Sequence, residues 1–291
     1  MVVEDAFIES PNGRIHYRYS GRGCGKTPLL VLHGGPGASC DYLVNIEKLS
    51  DERPVILYDQ LGSGDSDRNP DKSLWSADYF VKELDFVRTS LGLEGNLYIL
   101  GQSWGAMLAI LYMLDSNPRG IKGLVLAAPC LSAALFEADQ RKHLSELPRE
   151  IEETILACES RQDYMSDAYQ SAMNIFYKRF LCMLDPWPES LLSTFRKMNP
   201  EIYAHMWGPS EFTVSGTLKG LDRCSELKKI SIPVLLTCGR FDEAAPETLA
   251  FYKSCFPNAE MAIFEDASHS HHIEKEAEFL ERLRNFLFRG D

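Results

Sequence analysis

Basic residues are in the minority in this chain. Thirty Lys and Arg face 42 Asp and Glu, giving a formal net charge of −12. That balance excludes the phosphate-neutralising surfaces used to bind nucleic acid or anionic membranes. Long hydrophobic runs are missing too. The longest near-apolar stretch, LVLAAPCLSAALF, is too short to span a bilayer and is interrupted by Pro129. The first ten residues, MVVEDAFIES, contain no Lys or Arg, so no secretory signal is expected. None of the eight cysteines forms a C-x-x-C pair, which favours reduced thiols and a cytoplasmic setting. Internal repeats and low-complexity segments are also lacking. What remains, at 45% hydrophobic residues over 291 positions, is enough for a large α/β core.

Short β-type runs alternate with helical ones. AFIES and RIHYRYS flank the turn signal PNG and read as a hairpin. PLLVLHG, PVILYDQ, NLYILGQ and GLVLAAP read as buried strands. The runs CDYLVNIEKLS, SADYFVKELDFVRTSLGL and WGAMLAILYMLDSNP read as the helices between them. Continuous apolar strands alternating with helices predict a mostly parallel sheet covered on both faces. The rhythm stops near Cys130. Up to Leu227 the pattern is helical and rich in aromatics, including Phe136, Tyr164, Tyr169, Phe176, Tyr177, Trp187, Trp207 and Phe212, most of which are expected to pack. It resumes with IPVLLTCG, AEMAIFE and the amphipathic EKEAEFLERLRNFLF. The expected organisation is one α/β core, residues 1–129 and 228–291, with a helical cap, 130–227, inserted.

Chemistry concentrates at the ends of the strands. Gly101-Gln102-Ser103-Trp104-Gly105 fits G-x-S-x-G, placed after a strand and before a helix. Such a turn exposes a serine at the sheet edge, and the helix N-terminus favours developing negative charge. A helix-capping serine beside two turn glycines is the plainer alternative. A serine hydroxyl needs a base, and in this architecture the order is Ser, acid, His. His16, His33 and His143 fall outside that order, and His205 lies deep in the insertion. FEDASHSHHIEK leaves His269, His271 and His272. His269 comes first after the last strand and is preferred. His271 and His272 open the next helix and read more simply as surface histidines. Asp242, at the end of the strand in PVLLTCGRFDEAAP, is the preferred acid, with Glu243 its nearest rival. Asp266 is too close to His269 in sequence, and Asp222 lies in the insertion. His33 to Gly37, HGGPG, supplies backbone N–H groups for an oxyanion hole, from Gly35 together with Trp104. GRGCGKT fails as a phosphate loop, because Ser20 stands where its first glycine should be. DQLGSGDSD reads as a tight turn beside the same edge.

LHGGPG, YDQLGSGDSD, GQSWGAML, MWGPSEF and CGRFDEAAPE together resemble the prolyl aminopeptidases, or proline iminopeptidases, and most closely their tricorn-interacting branch. These motifs run from about Val31 to His269. The resemblance implies an α/β-hydrolase fold with a helical cap and cleavage of an N-terminal residue, often proline, from short peptides. It places nucleophile, acid and base on Ser103, Asp242 and His269. It also implies that Glu211 and Glu243 hold the substrate's free amine, which makes chemical sense, since an ammonium group shielded from water needs carboxylate partners. Ala106 stands where many members have a second glycine, and residues 130–186 match no family motif. The expected partner is a small peptide or amino-acid amide with a free amine. No metal, cofactor, nucleic acid or membrane partner is expected. An amino-acid amide amidase is the alternative. An esterase or lactone hydrolase ranks lower because a neutral acyl group needs no glutamate pair, and a non-catalytic receptor on the same scaffold ranks lowest.

Overall fold

A computed structural model describes residues 3–288. Residues 1–2 and 289–291 of the expected core lie outside the described residues. The chain opens with the expected hairpin, β1 (Val3–Ser10) against β2 (Gly13–Ser20), turning through Pro11 and Asn12. β3 (Leu29–Leu32), β4 (Val55–Tyr58), α1 (Ala77–Ser90), β5 (Leu97–Gln102), α2 (Trp104–Leu111) and β6 (Ile121–Ala127) follow. Five helices come next: α3 (Ala133–Ser145), α4 (Arg149–Ser160), α5 (Asp167–Phe180), α6 (Glu189–Lys197) and α7 (Pro200–Met206). β7 (Val234–Gly239), α8 (Pro246–Cys255), β8 (Ala259–Phe264), α9 (His271–Glu274) and α10 (Glu276–Phe288) complete the described chain.

The eight strands form one sheet in the order β1-β2-β4-β3-β5-β6-β7-β8. β2 pairs antiparallel with β1 and β4, and every pairing from β4 onward is parallel. This is the α/β-hydrolase fold. The apolar runs are continuous because both faces are covered. Along β3, Leu30 and Leu32 join one core with α1 and α2, whereas Leu29 and Val31 join another with α10. β4 divides the same way, Ile56 and Tyr58 to one side and Val55 and Leu57 to the other. A third apolar cluster, with Ile155, Tyr169, Phe176, Phe180 and Phe212, lies wholly within the segment between β6 and β7. That segment holds no strand among the described residues, only isolated bridges. Ser132, Ser166 and Asn199 cap α3, α5 and α7 through side-chain oxygens.

Two helical segments differ from a regular α-helix. Cys40–Asp51 is a 3₁₀ helix rather than an α-helix. Its buried side chains Cys40, Leu43, Ile46 and Leu49 recur every third residue, the period of a 3₁₀ turn. After α2 the chain widens into a π turn over Tyr112–Ser116, where the Tyr112 hydroxyl donates to Asp85 Oδ1 at 2.6 Å. No helix among the described residues is long and apolar enough to cross a membrane.

α2 is pressed against the ends of β3 and β5. A Cβ on Gly105 would sit 2.2 Å from the Leu32 carbonyl oxygen, and one on Gly101 would sit 2.2 Å from the Gly105 oxygen. Both obstacles are backbone and cannot rotate away. Gly105→Ala should therefore cost about 2–3 kcal/mol, the upper range for overpacking. A urea unfolding curve should show its midpoint lowered, whereas Gly23→Ala, at a site with open space around it, should leave the midpoint in place.

Candidate functional site

Ser103 sits in the turn between β5 and α2 with φ 54° and ψ −117°. A non-glycine residue there carries about 1–3 kcal/mol of strain. Its N–H donates to the Ala127 carbonyl at 3.0 Å, and its carbonyl receives the Ala106 N–H at 3.0 Å, so both sides of the turn are tied down. Its side chain makes no cap bond to α2, unlike the serines that cap α3 and α5. The capping alternative is thereby set aside.

The loops after β7 and β8 bring an acid and an imidazole to the same end of the sheet. His269 Nδ1 lies 2.7 Å from Asp242 Oδ1. Asp242 is fully buried and also accepts the N–H groups of Gly239 (3.0 Å) and Ala244 (2.9 Å). Burial alone would raise its pKa. The charge and hydrogen bond of His269, with His271 behind, outweigh burial and hold it well below the usual carboxylate range. Nδ1 therefore carries the proton facing Asp242, leaving Nε2 for the cavity. The His269 backbone is fixed by its N–H donating to the Phe180 carbonyl at 2.9 Å.

His271 and His272 are not surface residues. They are 0% and 1% exposed. The short helix α9 tucks beneath the acid, where α10 seals it from water, and His271 stacks on Phe264 with Phe279 at its edge. His271 Nε2 meets Thr237 Oγ1 at 2.9 Å, and its Nδ1 points at Asp242 Oδ2 across 3.6 Å. His272 Nε2 faces the Tyr42 carbonyl at 3.3 Å, and burial pushes its pKa down to about 3. Of the three histidines that the order of strands left open, His269 alone lines the cavity with Ser103.

Gly35 and Trp104 line that cavity beside Ser103. The Gly34 N–H is already donated to the Tyr42 hydroxyl at 2.7 Å, and that hydroxyl donates to Gln102 Oε1 at 2.5 Å. Gln60, read only as part of a turn, knits the loops together. Its N–H donates to His33 Nε2 (3.0 Å), its amide nitrogen to the His33 carbonyl (3.1 Å), and its Oε1 accepts Trp104 Nε1 (2.9 Å).

Glu211 and Glu243 line the same cavity. Glu243 is 2% exposed, and its Oε1 is buried without a hydrogen-bond partner. Its Oε2 lies 3.9 Å from His269 Nε2. Burial, then the charge of Glu211, raises its pKa to about 8. Burial raises Glu211 as well, opposed by Tyr203, His269 and Tyr177. Tyr203 flanks that carboxylate, although its buried hydroxyl makes no strict hydrogen bond. Two groups of positioning residues escaped the sequence reading. Asp139, Gln140 and His143 of α3 hold the Asp242–Ala245 loop, through the Ala245 N–H (3.1 Å), the Glu243 carbonyl (3.3 Å) and the Asp242 carbonyl (2.9 Å). Their i, i+1, i+4 spacing was a legible sign of one polar face on a buried helix. Glu159 of α4 accepts Ser210 Oγ and Thr213 Oγ1, both at 2.9 Å, and pairs with Arg141 at 2.7 Å. Arg141 in turn donates to the Phe212 carbonyl at 2.6 Å. The loop bearing Glu211 is thus gripped on both sides.

The cavity holds about 410 Å³, and aromatic Phe136, Tyr177 and Trp207 line it together with the glutamates. No Lys or Arg lines it among the described residues. Away from it, His16, Cys40 and Asp59 form the one cluster among the described residues with metal-ligand spacing. Both His16 nitrogens are engaged by carboxylates, Asp59 and Asp5, each at 2.9 Å. Burial opposes that charge, but the two carboxylates outweigh it and raise the pKa of His16. With both ring nitrogens taken by carboxylates, the cluster anchors loops.

A strained serine at a strand–helix turn, at the parallel end of a two-sided sheet, defines the class: the chain is an α/β hydrolase. The family model described as alpha/beta hydrolase fold matches residues 27–276. A proline iminopeptidase of Heyndrickxia coagulans is 45% identical over 286 residues, covering 97% of this chain and 98% of that protein. The crystal structure of VinJ superposes with a TM-score of 0.95 at 33% identity, covering 99% of both chains. That of a proline iminopeptidase of Mycobacterium smegmatis superposes at 0.90 with 31% identity, covering 99% of this chain and 98% of that one. The chain belongs to the proline iminopeptidase family.

The grip on the Glu211 loop is open to test. Glu159→Gln keeps shape but removes the charge that holds Arg141, Ser210 and Thr213. Losing one charge-assisted interaction, about 1.5–3 kcal/mol, should raise KM for a proline arylamide about tenfold or more. The kcat should fall less, as steady-state kinetics would show.

Proposed function

We propose that this chain is a serine aminopeptidase that removes the N-terminal residue, proline or another small apolar residue, from short peptides. The carrying observation is the unpartnered Glu243 Oε1, buried beside Glu211 in a cavity without Lys or Arg. An unmatched buried carboxylate oxygen is costly unless a cation arrives to meet it. A substrate ammonium supplies that cation and brings the first carbonyl to Ser103.

In this reading Ser103 Oγ attacks the carbonyl while His269 Nε2 takes its proton, and Asp242 stabilises the imidazolium. The N–H groups of Gly35 and Trp104 receive the oxyanion. His269 then returns the proton to the leaving amine, and water hydrolyses the acyl-enzyme by the same steps. Residues 130–227 act as a cap over the core, residues 1–129 and 228–291. The separate apolar cluster in that segment and its contribution of Glu211, Tyr177 and Trp207 to the cavity support this division. Eight unpaired cysteines fit a reducing, cytoplasmic setting.

Proline, alanine and leucine arylamides, their N-acetylated forms, simple amino-acid amides and aryl esters form the test panel. Free-amine arylamides should be hydrolysed and N-acetylated ones should not. Equal rates with and without the acetyl group would sink the role of the glutamates, and turnover of simple amides alone would favour an amidase. Ser103→Ala should lower kcat about 10⁴-fold or more with the fold intact by circular dichroism.

A further inference from the structure

Three carboxylates converge on one imidazole, and no permanent cation sits with them. From the loop after β7 come Asp242, 2.7 Å from Nδ1, and Glu243, 3.9 Å from Nε2. From the segment before β7 comes Glu211, flanked by the neutral phenols Tyr177 of α5 and Tyr203 of α7. From α9, His271 faces the far oxygen of Asp242, and His272 is neutral. From α3, Phe136 lies against the His269 ring, and His143 stacks on Phe180, meets the Asp242 carbonyl through Nε2 and faces Glu146 through Nδ1 at 3.6 Å. Ser103 and Cys130 complete the wall, the thiol of Cys130 held protonated by burial. Among the cavity-lining residues, His269 is therefore the one side chain that can carry positive charge.

We propose that the substrate's ammonium switches on the general base: by pairing with Glu211 and Glu243 it cancels the negative field that keeps His269 as an imidazolium. This rests on the reading that those two glutamates receive the amine, and it adds a second task for them. An imidazolium cannot accept the serine proton. Burial alone would make His269 less basic, yet Asp242, Glu243 and Glu211 outweigh burial and hold its pKa at about 9. Near neutral pH the empty site therefore keeps the proton on His269. When RNH₃⁺ enters, it replaces the imidazolium as counter-charge to the glutamates. The proton on Nε2 leaves to solvent, as does the proton that a pKa of about 8 keeps on Glu243 near neutral pH, and neutral Nε2 then accepts the proton of Ser103. A ligand lacking the cation leaves the base protonated even if it fits the cavity. Selection for a free amine thus operates on reactivity as well as on binding.

The test follows His269 directly. Histidine-labelled protein is titrated by ¹⁵N NMR with and without saturating pyrrolidinium, His269 being assigned by its loss in His269→Gln. Competition against a proline arylamide shows whether pyrrolidinium binds. The expected midpoint of His269 lies above 8 in the free protein and falls by about one unit or more with pyrrolidinium. Glu243→Gln should lower the free midpoint by itself and shrink the response to pyrrolidinium. A midpoint that stays put while pyrrolidinium competes, or a free midpoint below 7, overturns the switch and leaves amine binding by the glutamates standing. If pyrrolidinium does not compete and Glu211→Gln and Glu243→Gln leave KM unchanged, the amine site itself fails and the switch fails with it.

Discussion

The arrangement at the C-terminal edge of the sheet depends on how closely α2 approaches β3 and β5. Gly101 and Gly105 leave no room for a side chain between that helix and the strand backbones. The approach forces Ser103 into its strained conformation and sets the first turn of α2 beside the loop after β3. The strain is sustained because the turn is hydrogen-bonded on one side to Ala127 at the end of β6 and on the other to Ala106 in α2. The other elements of the site are positioned relative to that edge. Tyr42 and Gln60 tie the Gly34–Gly35 loop to it, and the loops after β7 and β8 deliver Asp242 and His269 from strands further along.

The second constraint is electrostatic. A cavity walled by aromatic and apolar groups strengthens every charge interaction inside it, and this one contains two glutamates beside an imidazole. The protein pays for keeping Glu243 Oε1 unpartnered through rigid support elsewhere. Asp139, Gln140 and His143 brace the loop that carries Glu243, and Glu159 with Arg141 braces the loop that carries Glu211. Positions so firmly held cannot relax toward each other or toward water.

Much of this was legible beforehand because it is local. Continuous apolar runs named the strands, and G-x-S-x-G after one of them named the turn. The run CDYLVNIEKLS is helical as read, and its apolar residues recurring every third position already carried the 3₁₀ period. His271 and His272 were misjudged for another reason. A histidine pair at the start of a short helix carries no sign of what covers it, and here α10 and Phe264 cover it completely. Gln60 and Glu159 left no trace either, since their partners lie far along the chain: Gln60 meets His33 and Trp104, and Glu159 meets residues beyond position 209.

The sequence by itself determined the order of strands and helices and the residue types at their ends, because periodicity and turn chemistry act over a few residues. Only the tertiary structure decided which histidine reaches the cavity, which glutamate oxygen goes without a partner, and how many charges crowd one imidazole. Those are matters of distance and burial between segments from opposite ends of the chain. Among side chains so deeply buried, a few ångströms decide whether a charge is answered or left alone.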